Sequence, residues 1–314
     1  MHARADRSAS SRRIHRHFPQ RGLAPDVSEV TRLAEPSNRR NLPTHLICWV
    51  RCLERKVFSM EYSLQLLPVG ESLIPGPELF WMSAWDEWFP LRFQVALIRG
   101  HGVVALVNTG PARDLEPMNK QWESFLGPRA RLARRDGEFI LEQLERVGVR
   151  PEDVTHVFLT PLQLYSVSNI HEFPNAQIAM SRRGWEHFHT TKSHPHDDRD
   201  ASLPPDVLAH LIGPAWERLR LLTDEEQIAE GLRTWWAGSH HRASFAVEVD
   251  TAQGTAVITD AFFYIENVER DHPIGICENI YEAMAAHARA SNADLIIPLY
   301  DPKNLDRFPG GIVS

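Results

Sequence analysis

From Arg92 onward, apolar and polar positions fall into short blocks whose period switches between two and about 3.6. Arg92–Ile98 and Val103–Val107 are apolar-rich runs separated by Gly100-His101-Gly102, which predicts two strands joined by a tight turn. Phe139, Ile140, Leu141, Leu144 and Val147 recur near helical spacing and Gly148 marks a stop, so a helix is predicted over Gly137–Val147. Val154–Thr160 and Ala176–Met180 read as further strands, the second following the turn Phe173-Pro174-Asn175. Residues 190–205 are polar and proline-bearing, and Asp206–Leu222 and Asp224–Leu232 read as helices. Together they predict a helical insertion over 190–232, of a kind that serves as a lid. Phe245–Val249 and Ala256–Thr259 pair around Gln253-Gly254, and a helix over Glu278–Ala290 and a strand over Asp294–Pro298 complete the pattern. The predicted order is β-β-α-β-β-α-β-β-α-β, an α/β chain. It contains no fixed-period repeat, no G-x-G-x-x-G, no P-loop and no G-x-S-x-G elbow, which removes the usual support for nucleotide binding and for an ordinary serine hydrolase.

Composition narrows the class. The 314 residues are 43% hydrophobic and 24% charged, which supplies a sizeable core and excludes disorder as the main state. No apolar run approaches the roughly 18 residues of a membrane helix, so a soluble protein without membrane association is expected. Cys48, Cys52 and Cys277 cannot build a disulfide framework, and a reducing, cytoplasmic setting is expected. The net charge of −7 hides an asymmetry, because residues 1–59 carry 12 Lys/Arg against 5 Asp/Glu and the remainder is acidic. Residues 1–59 read as a disordered, Arg- and Ser-rich leader, with the folded domain spanning 60–314 and its natural start at Met60. A transit-type presequence or a nucleic-acid or membrane-surface arm are the other readings of that leader. His45, Cys48 and Cys52 have loose metal-ligand spacing, but no matching second pair follows. The acidic balance of the folded part opposes phosphate binding, so no nucleic acid is expected there.

Six short segments carry more specific information. They are Val107-Asn108-Thr109-Gly110, Val154–Thr160, Phe173-Pro174-Asn175-Ala176, Gly238-Ser239-His240, Val257-Ile258-Thr259-Asp260-Ala261 and Ile297-Pro298-Leu299-Tyr300-Asp301-Pro302. In this order and context, over about two thirds of the chain, they resemble the metallo-β-lactamase superfamily and, within it, the acyl-homoserine-lactone lactonase group. The resemblance implies an αββα four-layer sandwich, with two mixed β-sheets face to face, helices outside and the site where loops converge at the sheet edge. It also implies lactone hydrolysis at two zinc-type ions. These are held by Thr-His-x-His-x-Asp-His, a Gly-x-His, a bridging Asp and a last His, and they activate a shared water and polarise the carbonyl.

The ligand positions depart from that pattern. Pro161, Gln163, Tyr165 and Ser166 stand where the family has His, His, Asp and His, and Tyr300 stands at the last His; His240 and Asp260 persist. Structural zinc sites use four ligands and catalytic ones three, so neither metal nor cofactor is expected. One weakly held zinc-type ion on Asp260, His240 and either Tyr300 or Gln163 stays open as a reading. His194-Pro195-His196-Asp197-Asp198 reproduces a His-x-His-x-Asp spacing, but in a polar loop with no buried strand ahead of it to hold the ligands. Asn108 replaces the family's Asp, removing a further charge.

Without metal, Ser166, His240 and Asp260 are the residue types of nucleophile, base and orienting carboxylate, and Tyr165 and Tyr300 are candidate acids or oxyanion donors. The opposing reading is a pseudoenzyme whose pocket binds a small molecule or a protein partner, with His240 and Asp260 as a hydrogen-bonded remnant. Gln163, Tyr264, Trp235 and Trp236 are the substrate-binding candidates. Lactonases of the family place a Tyr three positions after the bridging Asp; here that position is Phe263, and Tyr264 points the other way in a strand. Phe80, Trp81, Trp85, Trp88 and Phe89 read as core or dimer packing, so a homodimer is among the expected partners. The functional expectation is a hydrolase or lyase acting on a small ester, lactone or related carbonyl compound.

Overall fold

Two mixed sheets form from the apolar runs. In the computed structural model, residues 61–190 and 199–314 are described; the basic leader and the His194/His196/Asp198 spacing lie outside them. The first sheet comprises β1 (Ser63–Pro75), β2 (Trp88–Gly100), β3 (Val103–Val107), β4 (His156–Leu159), β5 (Gln177–Ser181) and β6 (Leu219–Leu222), in that spatial order. Its first three strands pair antiparallel and β3 to β6 run parallel. The second comprises β7 (Glu225–Ala229), β8 (Leu232–Trp236), β9 (Phe245–Thr251), β10 (Gly254–Thr259) and β11 (Leu295–Pro298), in the order β11-β10-β9-β8-β7. Only the β10–β11 pair is parallel.

The strand period decides what packs where. Phe245, Val247 and Val249 of β9 and Ala256 and Ile258 of β10 join the main core with residues of the first sheet. The intervening Ala246 and Val257 point to the opposite face and pack with Trp235 and with Ala286 and Ala290 of the helix Ile280–Ala290. β3 and the apolar part of β4 read as continuous apolar runs because both are buried interior strands, β4 between two parallel partners and β3 between antiparallel β2 and parallel β4. Among the described residues, no helix is long and apolar enough to cross a membrane.

The insertion departs from the expectation. Within Asp206–Leu222 the α-helix covers only Pro205–Ile212, because Gly213-Pro214 ends it, and Leu219–Leu222 is β6. Asp224–Leu232 is not a helix at all: it supplies β7 and the turn into β8. Glu225, Glu226 and Gln227 are helix formers by propensity, but they sit on a sheet edge paired with β8 across Gly231, whose φ of +72° suits glycine. β1 was not predicted, since Pro68 and a register shift between Pro68 and Gly70 break its alternation. In the aromatic stretch, Phe80 and Phe89 pack edge to face at 5.6 Å, whereas Trp81 and Trp85 are exposed.

Candidate active site

The site forms where β3, β4, β8, β10 and β11 end. Asn108, just past β3, has φ +71°, a conformation asparagine tolerates better than most residues. Its Nδ2 donates to the Thr160 carbonyl at 2.7 Å, and its Oδ1 accepts from the Thr160 amide at 2.8 Å. A carboxylate cannot donate, so this reciprocal clamp requires the amide and gives Asn108 a structural reason. The Thr109 amide and hydroxyl both donate to the Ser166 carbonyl, at 2.7 and 2.9 Å. Asn169 Nδ2 donates to the carbonyls of Thr109, Gly110 and Pro111. The loop after β4 is thereby strapped to the end of β3.

Asp260, after β10 and fully buried, is the polar hub. Thr160 Oγ1 lies 2.5 Å from its Oδ1, Ser244 Oγ donates to its Oδ2 at 2.5 Å, and His240 Nδ1 lies 3.0 Å from the same Oδ2. Burial, and secondarily the adjacent His241, pushes His240 down to about 4 despite the pull of Asp260. At neutral pH the imidazole is uncharged; with Nδ1–H donating to Asp260, the Nε2 lone pair is left for the cavity whose wall His240 forms. His241 and Arg242 lie next along the chain. Arg242 donates to Glu278 at 2.8 Å and to Glu282, while His241 Nδ1 is 3.7 Å from Glu278. Burial alone raises the Glu278 carboxyl, but His241 and Arg242 together hold it down to about 2.

The cavity has a volume of about 670 Å³. Phe93, Trp122, Tyr165, Phe263 and Tyr300 form much of its apolar wall. Their rings interlock: Phe93 lies 5.0 Å from Tyr300, 5.3 Å from Tyr165 and 5.8 Å from Trp122, and Phe263 lies 5.0 Å from Tyr300 and 4.8 Å from the His240 ring. Burial raises both tyrosine hydroxyls well above their ordinary range, so both are neutral donors at neutral pH. The Tyr300 hydroxyl is fully buried, within interaction range of the Tyr165 and Ser166 hydroxyls.

Of the expected site residues, the structure gathers His240, Asp260, Tyr165, Tyr300 and Gln163. Gln163 lines the cavity and reaches Ser202 Oγ at 3.4 Å. Ser166 is buried in the turn Leu164–Val167, outside the cavity lining, and no hydrogen bond joins it to His240; the triad with Ser166 is not assembled. Tyr264 turns away, its hydroxyl donating to the Pro90 carbonyl, while Phe263 faces the cavity. Trp235 packs in the second core cluster and donates to Glu248 at 2.9 Å. Trp236 donates to the Arg242 carbonyl at 2.8 Å with the Arg183 guanidinium 4.1 Å from its ring, so neither tryptophan lines the cavity. Sequence reasoning missed Thr160 and Ser244 as partners of Asp260, and Phe93 and Trp122 as wall residues. Their signal was indirect: a buried carboxylate requires nearby donors.

A zinc-type pair needs imidazole and carboxylate donors, and among the described residues no group of three or more His, Cys, Asp or Glu side chains is placed to hold a metal ion. Pro161 offers no donor, Gln163, Ser166 and the two tyrosines are weak ones, and Asp260 already accepts from three partners. This donor set does not fit a dinuclear centre. No protein-family model and no curated protein matches the sequence. Solved structures do match. One is an N-acyl homoserine lactone hydrolase with the product N-hexanoyl-L-homoserine bound at its catalytic metal centre: 17% identity, TM-score 0.66, covering 80% of this chain and 99% of that one. A probable metal-dependent hydrolase from Staphylococcus aureus matches at 13% identity and TM-score 0.62, over 78% and 91% of the two chains. A hydrolase of the beta-lactamase superfamily matches at 16% identity and TM-score 0.57, over 80% and 89%. Two mixed sheets, their topology and these likenesses establish that the chain has the metallo-β-lactamase fold.

Proposed function

We propose that this chain is a hydrolase of a small ester or lactone that uses the His240–Asp260 pair as its general base and works without the dinuclear metal centre. The observation that carries the reading is the buried, neutral imidazole, oriented by Asp260 through Nδ1 and forming the wall of an apolar cavity. In that arrangement His240 Nε2 takes a proton from a water whose oxygen bonds to the carbonyl carbon. The bond to the leaving oxygen then breaks, and the imidazolium returns the proton to it, giving acid and alcohol. Asp260 stabilises the transient imidazolium, as carboxylates do in His-based hydrolases. The neutral phenol of Tyr165, in the cavity wall, is the donor available to the developing oxyanion.

His240→Ala is expected to lower the turnover of a naphthyl or nitrophenyl ester by about 100-fold or more while circular dichroism stays native. Metal content by mass spectrometry is expected to be near zero in protein grown with zinc, manganese and iron. Unchanged turnover in the variant sinks the assignment, and one or two ions per chain restores metal-assisted hydrolysis. One observation favours the binding-protein reading: Tyr165 and Tyr300 fill the ligand positions with packed aromatic rings at 6.0 Å. Under it, the same variant changes ligand affinity and there is no reaction to lose.

A further inference from the structure

The connection between β1 and β2 carries a surface that the cavity chemistry does not use. Residues 80–88 read Phe-Trp-Met-Ser-Ala-Trp-Asp-Glu-Trp, and their aromatic side chains divide into two groups. Phe80 and Trp88 are half-buried, whereas Trp81 is 49%, Met82 62% and Trp85 65% exposed. Tryptophan is on average a well-buried residue, so two open ones within five positions call for a reason. The loop is fixed by its own hydrogen bonds. The Gly76 amide donates to the Glu87 carbonyl at 2.8 Å, the Trp81 amide to the Pro273 carbonyl at 2.9 Å and the Glu87 amide to the Ala84 carbonyl at 3.1 Å, while His272 Nε2 lies 2.9 Å from the Trp81 carbonyl. Gly76 lets the backbone close, since a Cβ there would stand 2.0 Å from the Ala84 carbonyl oxygen. Met82 and Ala84 hold left-handed backbone, φ +54° and +53°, at a steric cost that persists only where the surroundings dictate it. Trp81, Met82 and Trp85 are thus presented to solvent in a preset arrangement, which lowers the ordering cost of association.

The charge around the loop selects what meets it. Asp86 and Glu87 follow Trp85 directly, both exposed, and neither enters an ion pair among the described residues. Glu269, Arg270 and Asp271, which precede His272, add one net negative charge. The Arg129 guanidinium lies 5.6 Å from the Trp88 ring, so the loop already makes in its own wall the contact that its two open tryptophans can make with a partner. A second copy docking the same loop across a two-fold axis sets Asp86 and Glu87 against their equivalents, and anionic lipid headgroups are repelled by them. We propose that the turn Trp81–Glu87 is a docking surface for an arginine-bearing segment of a protein partner, whose guanidinium groups stack on the rings of Trp81 and Trp85 and pair with Asp86 and Glu87. Arginine suits both halves of the surface: its planar face stacks on an aromatic ring and its fork of donors matches a carboxylate, where lysine offers a point charge. Met82 supplies an adaptable apolar contact between them. The proposal is independent of the cavity and of the hydrolase reading.

The test is calorimetric titration of the full chain, in about 50 mM salt, with capped peptides of about twelve residues that alternate Arg-Ala, Lys-Ala or Glu-Ala. The Arg-Ala peptide is expected to bind at least about threefold tighter than the Lys-Ala peptide, and the Glu-Ala peptide not to bind. Trp85→Ala, with native circular dichroism, is expected to weaken the Arg-Ala peptide about tenfold or more. Asp86→Asn combined with Glu87→Gln is expected to weaken it about fivefold, by a margin that shrinks as salt rises. Glu145→Gln combined with Glu152→Gln removes two exposed carboxylates elsewhere and is expected to leave binding unchanged. Equal weakening by the two charge pairs, binding untouched by Trp85→Ala, or equal affinity for the Arg-Ala and Lys-Ala peptides overturns the proposal. So does a wild-type dimer in sedimentation that Trp85→Ala dissociates, which gives the surface to a second copy. Binding to neutral phosphatidylcholine vesicles that is lost in the same variant gives it to a bilayer and overturns the proposal as well.

Discussion

The two halves of the site are built on opposite principles. Around Asp260 each carboxylate oxygen is engaged: Thr160, Ser244 and His240 converge on it in a fully buried setting. Around Tyr300 the packing is dense and aromatic, but the polar atom at its centre is left without a well-formed bond. A saturated buried network rigidifies its surroundings, whereas an unsatisfied polar atom is a standing cost. The contrast separates a hydrogen-bonded anchor from a packed aromatic wall.

The strongest way to break the contrast is Asp260→Ala. It strands the Thr160 and Ser244 hydroxyls and the His240 N–H in a buried space, and is expected to cost about 3–5 kcal/mol in urea denaturation, enough to threaten folding. A loss below about 1 kcal/mol shows that the hub is not an anchor.

The second concerns protons. The folded-state value of His240, about 4, lies below the ordinary histidine value of 6.5, so between these values the unfolded chain binds the proton and the folded chain does not. Stability from this group therefore falls as pH drops from about 6.5 to 4 and levels off below, by on the order of 3 kcal/mol. The difference between wild type and His240→Gln isolates that slope in denaturation curves at several pH values. Parallel curves show that the imidazole is not held neutral by burial.

The smallest effect belongs to the other half. Tyr300→Phe removes a hydroxyl with no well-formed bond, and the expected outcome without ligand is no loss or a gain of up to about 1 kcal/mol. A loss above that shows the hydroxyl to be bonded in the resting protein, and the contrast fails.

How much of this was legible follows from the same physics. Val103–Val107, Phe245–Val249 and Asp294–Pro298 were readable because burial forces apolar side chains into short runs, and those segments are strands in the structure. Glu225–Ala229 was not, because an edge strand half exposed to water carries residues with no strand signature. His240 and Asp260 stood out through their neighbours in the chain. Thr160 and Ser244 did not, because a hydroxyl that serves one buried oxygen looks like any other Ser or Thr until the fold brings it there. Asn108 was read as a lost charge, while its amide is needed to donate and accept at once.

The Thr160 hydroxyl also has a mechanical meaning. Thr160 directly follows β4 of one sheet, whereas Phe245 opens β9 and Asp260 follows β10 of the other, and the single Oγ1 touches both, accepting from the Phe245 amide at 2.9 Å. It acts as a rivet across the sandwich, so sliding one sheet against the other strains that contact. Loosening at the site therefore propagates as shear between layers, and amide exchange at the ends of β4 and β9 rises together when the rivet is removed.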